Sequence, residues 1–164
     1  MTILTFRACT LGAVLICSVT KIQPVQGAED QKCAEPQPVN DPTYRPGQVW
    51  AYKARPGETS STITILKVET LPKVGVVVHT RIDGFQFHNC TGGPAPNNLE
   101  HAPFAKTAID RSVTRQLRTA SALPQFEEGY KEWLSHCGGV YTITVAEMLD
   151  ADQTTFSAGL GCSR

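Results

Sequence analysis

RPGQVWAYKARPGETSSTITILKVETLPKVGVVVHTRID, residues Arg45–Asp83, is the stretch that decides the fold. Three runs rich in Val, Ile, Thr and aromatic residues are separated by breaks containing Pro and Gly, the pattern of an antiparallel β-meander. The first strand is Gln48 to Lys53, opened by the turn dipeptide Pro46-Gly47 and closed by Arg55-Pro56-Gly57-Glu58. Side-chain alternation sends Val49 and Ala51 to one face and Trp50 and Tyr52 to the other. The second strand is Ser61 to Thr70. Strict alternation places Thr62, Thr64, Leu66 and Val68 together, with Ile63, Ile65, Lys67 and Glu69 opposite. Apolar groups on both faces make this a central strand. The third strand, Val74 to Asp83, separates an apolar face of Val76, Val78, Thr80 and Ile82 from a polar one carrying Val77, His79, Arg81 and Asp83.

Downstream, Asp83-Gly84 signals a hairpin, with Phe85 to His88 pairing back as a short fourth strand. A long polar loop, Asn89–Ala102, follows. Loops of that length in a compact domain are either functional or tied down. Pro103 begins a helical pattern running to about Arg118, with Ala105, Ile109, Val113 and Leu117 as its buried stripe. Leu123-Pro124 opens a second helix to about His136, whose aromatic side is Phe126, Tyr130 and Trp133, and Gly138-Gly139 ends it. Val140 to Val145 alternates as a further strand, Ala146 to Asp150 has room for one or two helical turns, and Gln153–Arg164 reads as a small-residue tail. The expected class is α+β: a twisted antiparallel meander, or a partial barrel, covered on one face by two amphipathic helices.

Upstream, Arg7 precedes the apolar run Ala8–Val19, and Val25-Gln26-Gly27 offers a cleavage site before Ala28. This is a secretory signal pattern, and the run is too short to span a bilayer. A lipidation site at Cys17 is disfavoured by the Leu15-Ile16 that precedes it. The expected organisation is a cleaved signal over 1–27, an extended Pro-rich arm over 28–44, one domain over 45–152 and a tail over 153–164. Removing Arg7 and Lys21 from the 15 Lys and Arg leaves 13, against 15 Asp and Glu. That balance lacks the basic surplus of a nucleic-acid binder. Arg111, Arg115 and Arg118 fall at helical spacing and read as a solvated helix face. After signal removal four cysteines remain: Cys33, Cys90, Cys137 and Cys162. An even number in an exported chain argues for two disulfides rather than zinc, for which the pairs His88/Cys90 and His136/Cys137 have the wrong spacing. Cys33–Cys90 with Cys137–Cys162 would anchor both loosely structured ends and is the expected pairing among the three possible.

The segments PGQVWAYKARPGE (Pro46–Glu58), STITILKVE (Ser61–Glu69), VGVVVHTRIDG (Val74–Gly84), HAPFAKTAIDRSVT (His101–Thr114) and LPQFEEGYKEW (Leu123–Trp133), in this order, resemble a group of small bacterial proteins of unknown function. The resemblance implies a bacterial, exported α+β domain. It carries no substrate, cofactor or catalytic residue.

No nucleophile elbow, zinc-protease helix, P-loop or dinucleotide fingerprint occurs in the chain. The Asn89-Cys90-Thr91 sequon is not expected to be modified in a bacterial chain with a bonded cysteine. The best polar constellation is His79, Arg81 and Asp83 on one strand face, together with His101. Two histidines and a carboxylate could hold a metal or perform acid–base chemistry. A half-exposed strand face carries such residues routinely, and the absence of any catalytic motif favours a binding role. Trp50 and Tyr52 could stack on a ligand, although core packing explains them more simply. The expectation is therefore an exported, disulfide-stapled domain that binds an envelope protein or a small ligand, with no cofactor. The alternative is a small metal-dependent or His-based hydrolase using His79, Asp83 and His101.

Overall fold

In the computed structural model, residues 33–162 are described; the expected signal peptide and its cleavage site lie outside them. The strands are β1 (Gln37–Pro38), β2 (Gln48–Tyr52), β3 (Thr62–Leu71), β4 (Gly75–Asp83), β5 (Asn98–Ala105) and β6 (Val113–Thr119), and the helices α1 (Lys106–Ser112), α2 (Glu127–Ser135) and α3 (Val145–Gly159). The fold is α+β. The six strands form one antiparallel sheet in the order β5-β4-β3-β2-β6, with β1 paired to the far half of β3, and the sheet does not close into a barrel. The meander legible in Arg45–Asp83 is β2-β3-β4. Among the described residues no helix is long and apolar enough to cross a membrane.

The first face of the sheet carries the core. Tyr52, Ile63, Ile65, Val68, Val78, Ile82, Ala102 and Phe104 pack there against Ala108 and Ile109 of α1 and Val145, Met148 and Leu149 of α3. At about 25 cal/mol per Å² of apolar surface removed from water, this cluster is the main source of stability. The second face is mixed. Val49, Leu66, Leu71 and Val77 are buried but stand apart from that cluster, and α2 lies over part of them. The helices therefore divide between the faces instead of sharing one.

Four register shifts, in three ladders, decide which residues reach the second face. In the β3–β4 ladder Ile65 pairs with Thr80 and Lys67 with His79, so Leu66 is the extra residue. Ile65 and Val68 both sit in the core, which forces Leu66 and Lys67 to the same, opposite side. In the β4–β5 ladder Thr80 pairs with Ala102 and Ile82 with Leu99, so Glu100 and His101 both stand against Arg81. In the β2–β6 ladder the register shifts at Leu117 and again at Thr114. Strict alternation along β3 is thereby corrected: Ile63, Ile65 and Val68 share the core face, while Thr64, Leu66, Lys67 and Glu69 share the other.

Other expectations change for local reasons. The helix expected from Pro103 to Arg118 is two strands around the seven-residue α1, because residues on both sides of it are drawn into sheet pairing. The Asn89–Ala102 loop is shorter than expected, since β5 begins at Asn98. Phe85–His88 forms no strand: Phe85 is buried in the core and Phe87 packs against it. Val140–Val145 makes only a single bridge, Tyr141 to Phe104. Thr144 in that segment is the N-cap of α3. Its hydroxyl accepts from the Glu147 amide and the Glu147 carboxylate accepts from the Thr144 amide, a capping box. That cap starts a helix which runs through the expected tail to Gly159. Helix α2 begins at Glu127, so Pro124 precedes it.

The disulfides are Cys33–Cys137 and Cys90–Cys162, with Cα separations of 4.9 and 6.1 Å, and not the pairs expected from sequence. The expected pairing tied each loose end to its nearest neighbour in the chain. The fold instead brings the arm beside the end of α2, and brings α3 beside the start of the Asn89 loop. Gln153 marks the second approach, donating to the carbonyl of His88 and accepting from its amide.

A polar knot lies beside this second approach. Glu58, which is 6% exposed, accepts hydrogen bonds from the Arg55 guanidinium and the Gln86 amide. Arg55 in turn donates to the carbonyls of Gln86 and Leu149, linking the β2–β3 turn to the segment after β4 and to α3. Burial pushes the Glu58 carboxyl up, but the bonds from Arg55 and Gln86 outweigh it and its pKa is lowered.

Candidate functional site

On the second face, the β3 bulge turns Lys67 and Glu69 away from the side taken by Ile63 and Ile65, and the β5 bulge turns His101 toward His79. Helix α2 closes over them with Tyr130 and Trp133. Glu69 is 1% exposed and His79 is fully buried. The Tyr130 hydroxyl lies 2.8 and 3.0 Å from the two Glu69 oxygens and 2.8 Å from Lys67 Nζ. Lys67 also pairs directly with Glu69 and lies 4.1 Å from the Tyr130 ring centroid. The Lys67 ammonium loses solvation, which lowers its pKa, but its bonds to Glu69 and Tyr130 reverse the balance and the pKa is raised.

His79 Nδ1 is 2.9 Å from His101 Nε2, and His79 Nε2 is 3.3 Å from Glu69 Oε2 but out of line for a hydrogen bond. A bare Nε2 lone pair against a carboxylate oxygen would be repulsive. The proton therefore sits on His79 Nε2, Nδ1 accepts from His101 Nε2–H, and His101 Nδ1 is left as the free basic nitrogen. Burial pushes the His79 pKa down to about 3, with the charges of His101 and Lys67 acting in the same direction. The negative charge of Glu69 does not reverse this, because Lys67 and Tyr130 already meet it. Burial lowers His101 as well. Both imidazoles are neutral at neutral pH.

Helix α2 fits over this cluster by close approach rather than by an apolar seal, since none of its residues is buried. A Cβ on Gly129 would stand 2.9 Å from the Cβ of His101, so only glycine lets the helix come this near. The indole of Trp133 lies where a Gly138 side chain would be and donates to the Gly139 carbonyl. The Cys33–Cys137 bond holds the end of the helix.

The residues singled out from sequence thus divide. His79 and His101 meet. Asp83 does not join them: both its oxygens accept from Arg81 Nε, at 2.8 and 3.0 Å, further along β4. Among the described residues no group of three His, Cys, Asp or Glu side chains is placed to hold a metal. Tyr52 lies in the core with its hydroxyl 2.6 Å from Ser61, and Trp50 packs against the core with its indole donating to Gln48. Lys67, Glu69 and Tyr130 were missed. The first two are hidden by the β3 bulge, and Tyr130 was read as part of an apolar cover.

Among the described residues no helix lies over the remainder of the second face. Paired residues form a row across it, Arg118–Val49–Thr64–Arg81. With residues 120–124 as one wall, these residues and Asp83 line an open cleft of about 380 Å³. No family model, no curated protein and no solved structure matches this chain.

Proposed function

We propose that the chain is an exported, non-catalytic binding domain that takes an envelope component or a small ligand on the uncovered half of its second sheet face, between Arg81 and strand β6. The observation that carries this reading is the contrast between the two halves. In the histidine cluster, where chemistry would be sought, Glu69 and His79 are buried beneath α2 and only His101 and Lys67 are in part exposed. The half bearing Val49, Thr64, Arg81 and Arg118 is an open cleft that sets charged side chains around the apolar Val49. Two disulfides suit an oxidising compartment.

One observation favours the second reading, a His-based hydrolase: the Glu69–His79–His101 chain, with Glu69 in the place expected for Asp83. Against it, among the described residues no Ser or Thr hydroxyl hydrogen-bonds either imidazole. A panel of small ligands and short peptides, screened by thermal shift and mapped by hydrogen exchange, separates the two. Protection confined to residues 48–52, 62–65, 81–83 and 113–124 is the expected result. Turnover of an ester or amide substrate that disappears in His101→Ala would overturn the binding reading.

A further inference from the structure

Among the described residues strand β6 is the outer edge of the sheet and pairs only with β2. Every residue from Thr114 to Thr119 is exposed, so one row of backbone amides and carbonyls faces outward beside side chains that nothing covers. Edges of this kind accept an added strand.

The charge on this edge has one sign. From Arg111 to Phe126 the chain has three arginines and no acidic residue, although Lys and Arg balance Asp and Glu, 15 to 15, over the whole sequence. Strand β2 beside it is neutral. Arg115 pairs with Ala51 and Arg118 with Val49, and Val49 is on the second face, so both arginines project to that face, brought into line by the bulge at Leu117. Among the described residues neither guanidinium has a hydrogen bond or an ion pair. A second copy of this chain is a poor occupant, because pairing β6 with β6 would set these arginines against their own kind. Asp83, which lines the same cleft as Arg118, is already held by Arg81.

We infer that the β6 edge takes an extended acidic peptide segment of a partner protein as an added strand. This rests on the binding-domain reading above and specifies its ligand. Directly paired residues point to the same face. The partner residues opposite Arg115 and Arg118 therefore project over the second face and carry carboxylates two positions apart. The backbone ladder supplies attachment, and the two arginines select acidic segments over neutral or basic ones. The row from Arg118 to Arg81 then lies open to any longer side chain leaving the added strand.

The test uses capped ten-residue peptides alternating Glu and Thr, or Lys and Thr, and a single-stranded oligonucleotide. Each is titrated by fluorescence anisotropy against the disulfide-bonded protein and against Arg115→Glu/Arg118→Glu. Near-UV circular dichroism confirms that the variant is folded, which its exposed positions allow. The expected result is binding of the Glu peptide with exchange protection of the 114–119 amides. The double variant should weaken it at least tenfold and gain binding of the Lys peptide. Affinity unchanged by the charge reversal, no protection of β6, or tighter binding of the oligonucleotide than of the Glu peptide would overturn the proposal. Small ligands protecting Val49, Thr64 and Arg81 while β6 stays unprotected would overturn the added strand but leave the binding domain standing. No protection at either place would overturn both.

Discussion

Acid should loosen this protein through His79, and the size of the effect follows from the site. His79 is fully buried, and its pKa in the fold is about 3, whereas in an unfolded chain it returns to about 6.5. A histidine whose pKa is depressed by folding binds more protons when unfolded. Its penalty is absent well above pH 6.5 and grows as the pH falls toward the folded value. At about 1.4 kcal/mol per pH unit, moving from pH 7 to pH 5 removes about 2 kcal/mol of stability through this one side chain. His101, also lowered by burial, and the carboxyl of Glu58 add losses of the same sign. His79→Leu isolates the term, since leucine fills the buried site and cannot titrate. Urea unfolding at the two pH values should find the wild type losing about 2 kcal/mol more than the variant. An equal loss in both proteins would refute the reasoning. So would a wild type that gains stability toward pH 5, because Glu69 would then be holding a charged imidazole.

Two further outcomes test the packing. Glu58→Ala removes the buried carboxylate from the Arg55 guanidinium, whose side chain is 11% exposed, and leaves it the exposed Asp150 carboxylate at 3.5 Å and two backbone carbonyls. Losing hydrogen bonds to a charged group costs about 1.5–3 kcal/mol, read as a fall in urea midpoint. Gly129→Ala brings a Cβ to 2.9 Å from that of His101; the clash costs about 1–3 kcal/mol while helix propensity returns about 1. A net destabilisation of about 1 kcal/mol with a shift in Trp133 emission is expected, and a stabilised variant with unchanged emission would show that α2 does not seat against β5.

How far the sequence could be read depended on whether the backbone kept its period. In β4 it did: Val78 and Ile82 reach the core and His79 and Arg81 take the other side, as alternation requires. In β3 a single extra residue, Leu66, exchanges the faces of everything after it. The pattern of Thr62–Thr70 gives no local warning, because both faces are apolar enough to suit either register. The Thr144-Val145-Ala146-Glu147 capping box was a legible signal for α3, obscured by the β-branched alternation of the residues before it. Disulfide pairing was not legible, since spacing along the chain says nothing of which segments cross in space.

The candidate site follows from the same point. Its two histidines were visible as residue types, but their meeting depends on β5 carrying Glu100 and His101 together against Arg81. The carboxylate assigned to them by strand alternation, Asp83, is taken by Arg81. The one that reaches them, Glu69, comes from another strand through a bulge. A bulge re-aims a side chain without changing composition or hydrophobic content, so it moves polar groups between faces at little local cost. Here two bulges bring Lys67, Glu69 and His101 to the side of His79 under α2, and the one at Leu117 aligns Arg115 and Arg118 on the open half. In the buried half an unpaired charge costs several kcal/mol, and α2 helps to meet that of Glu69 through the Tyr130 hydroxyl. The open half has no such demand, since water solvates its arginines until a partner replaces it. The same irregularity in the sheet therefore produces a closed cluster that seats a helix and an exposed edge with charge to spare, and the exposed edge is where recognition can act without disturbing the fold.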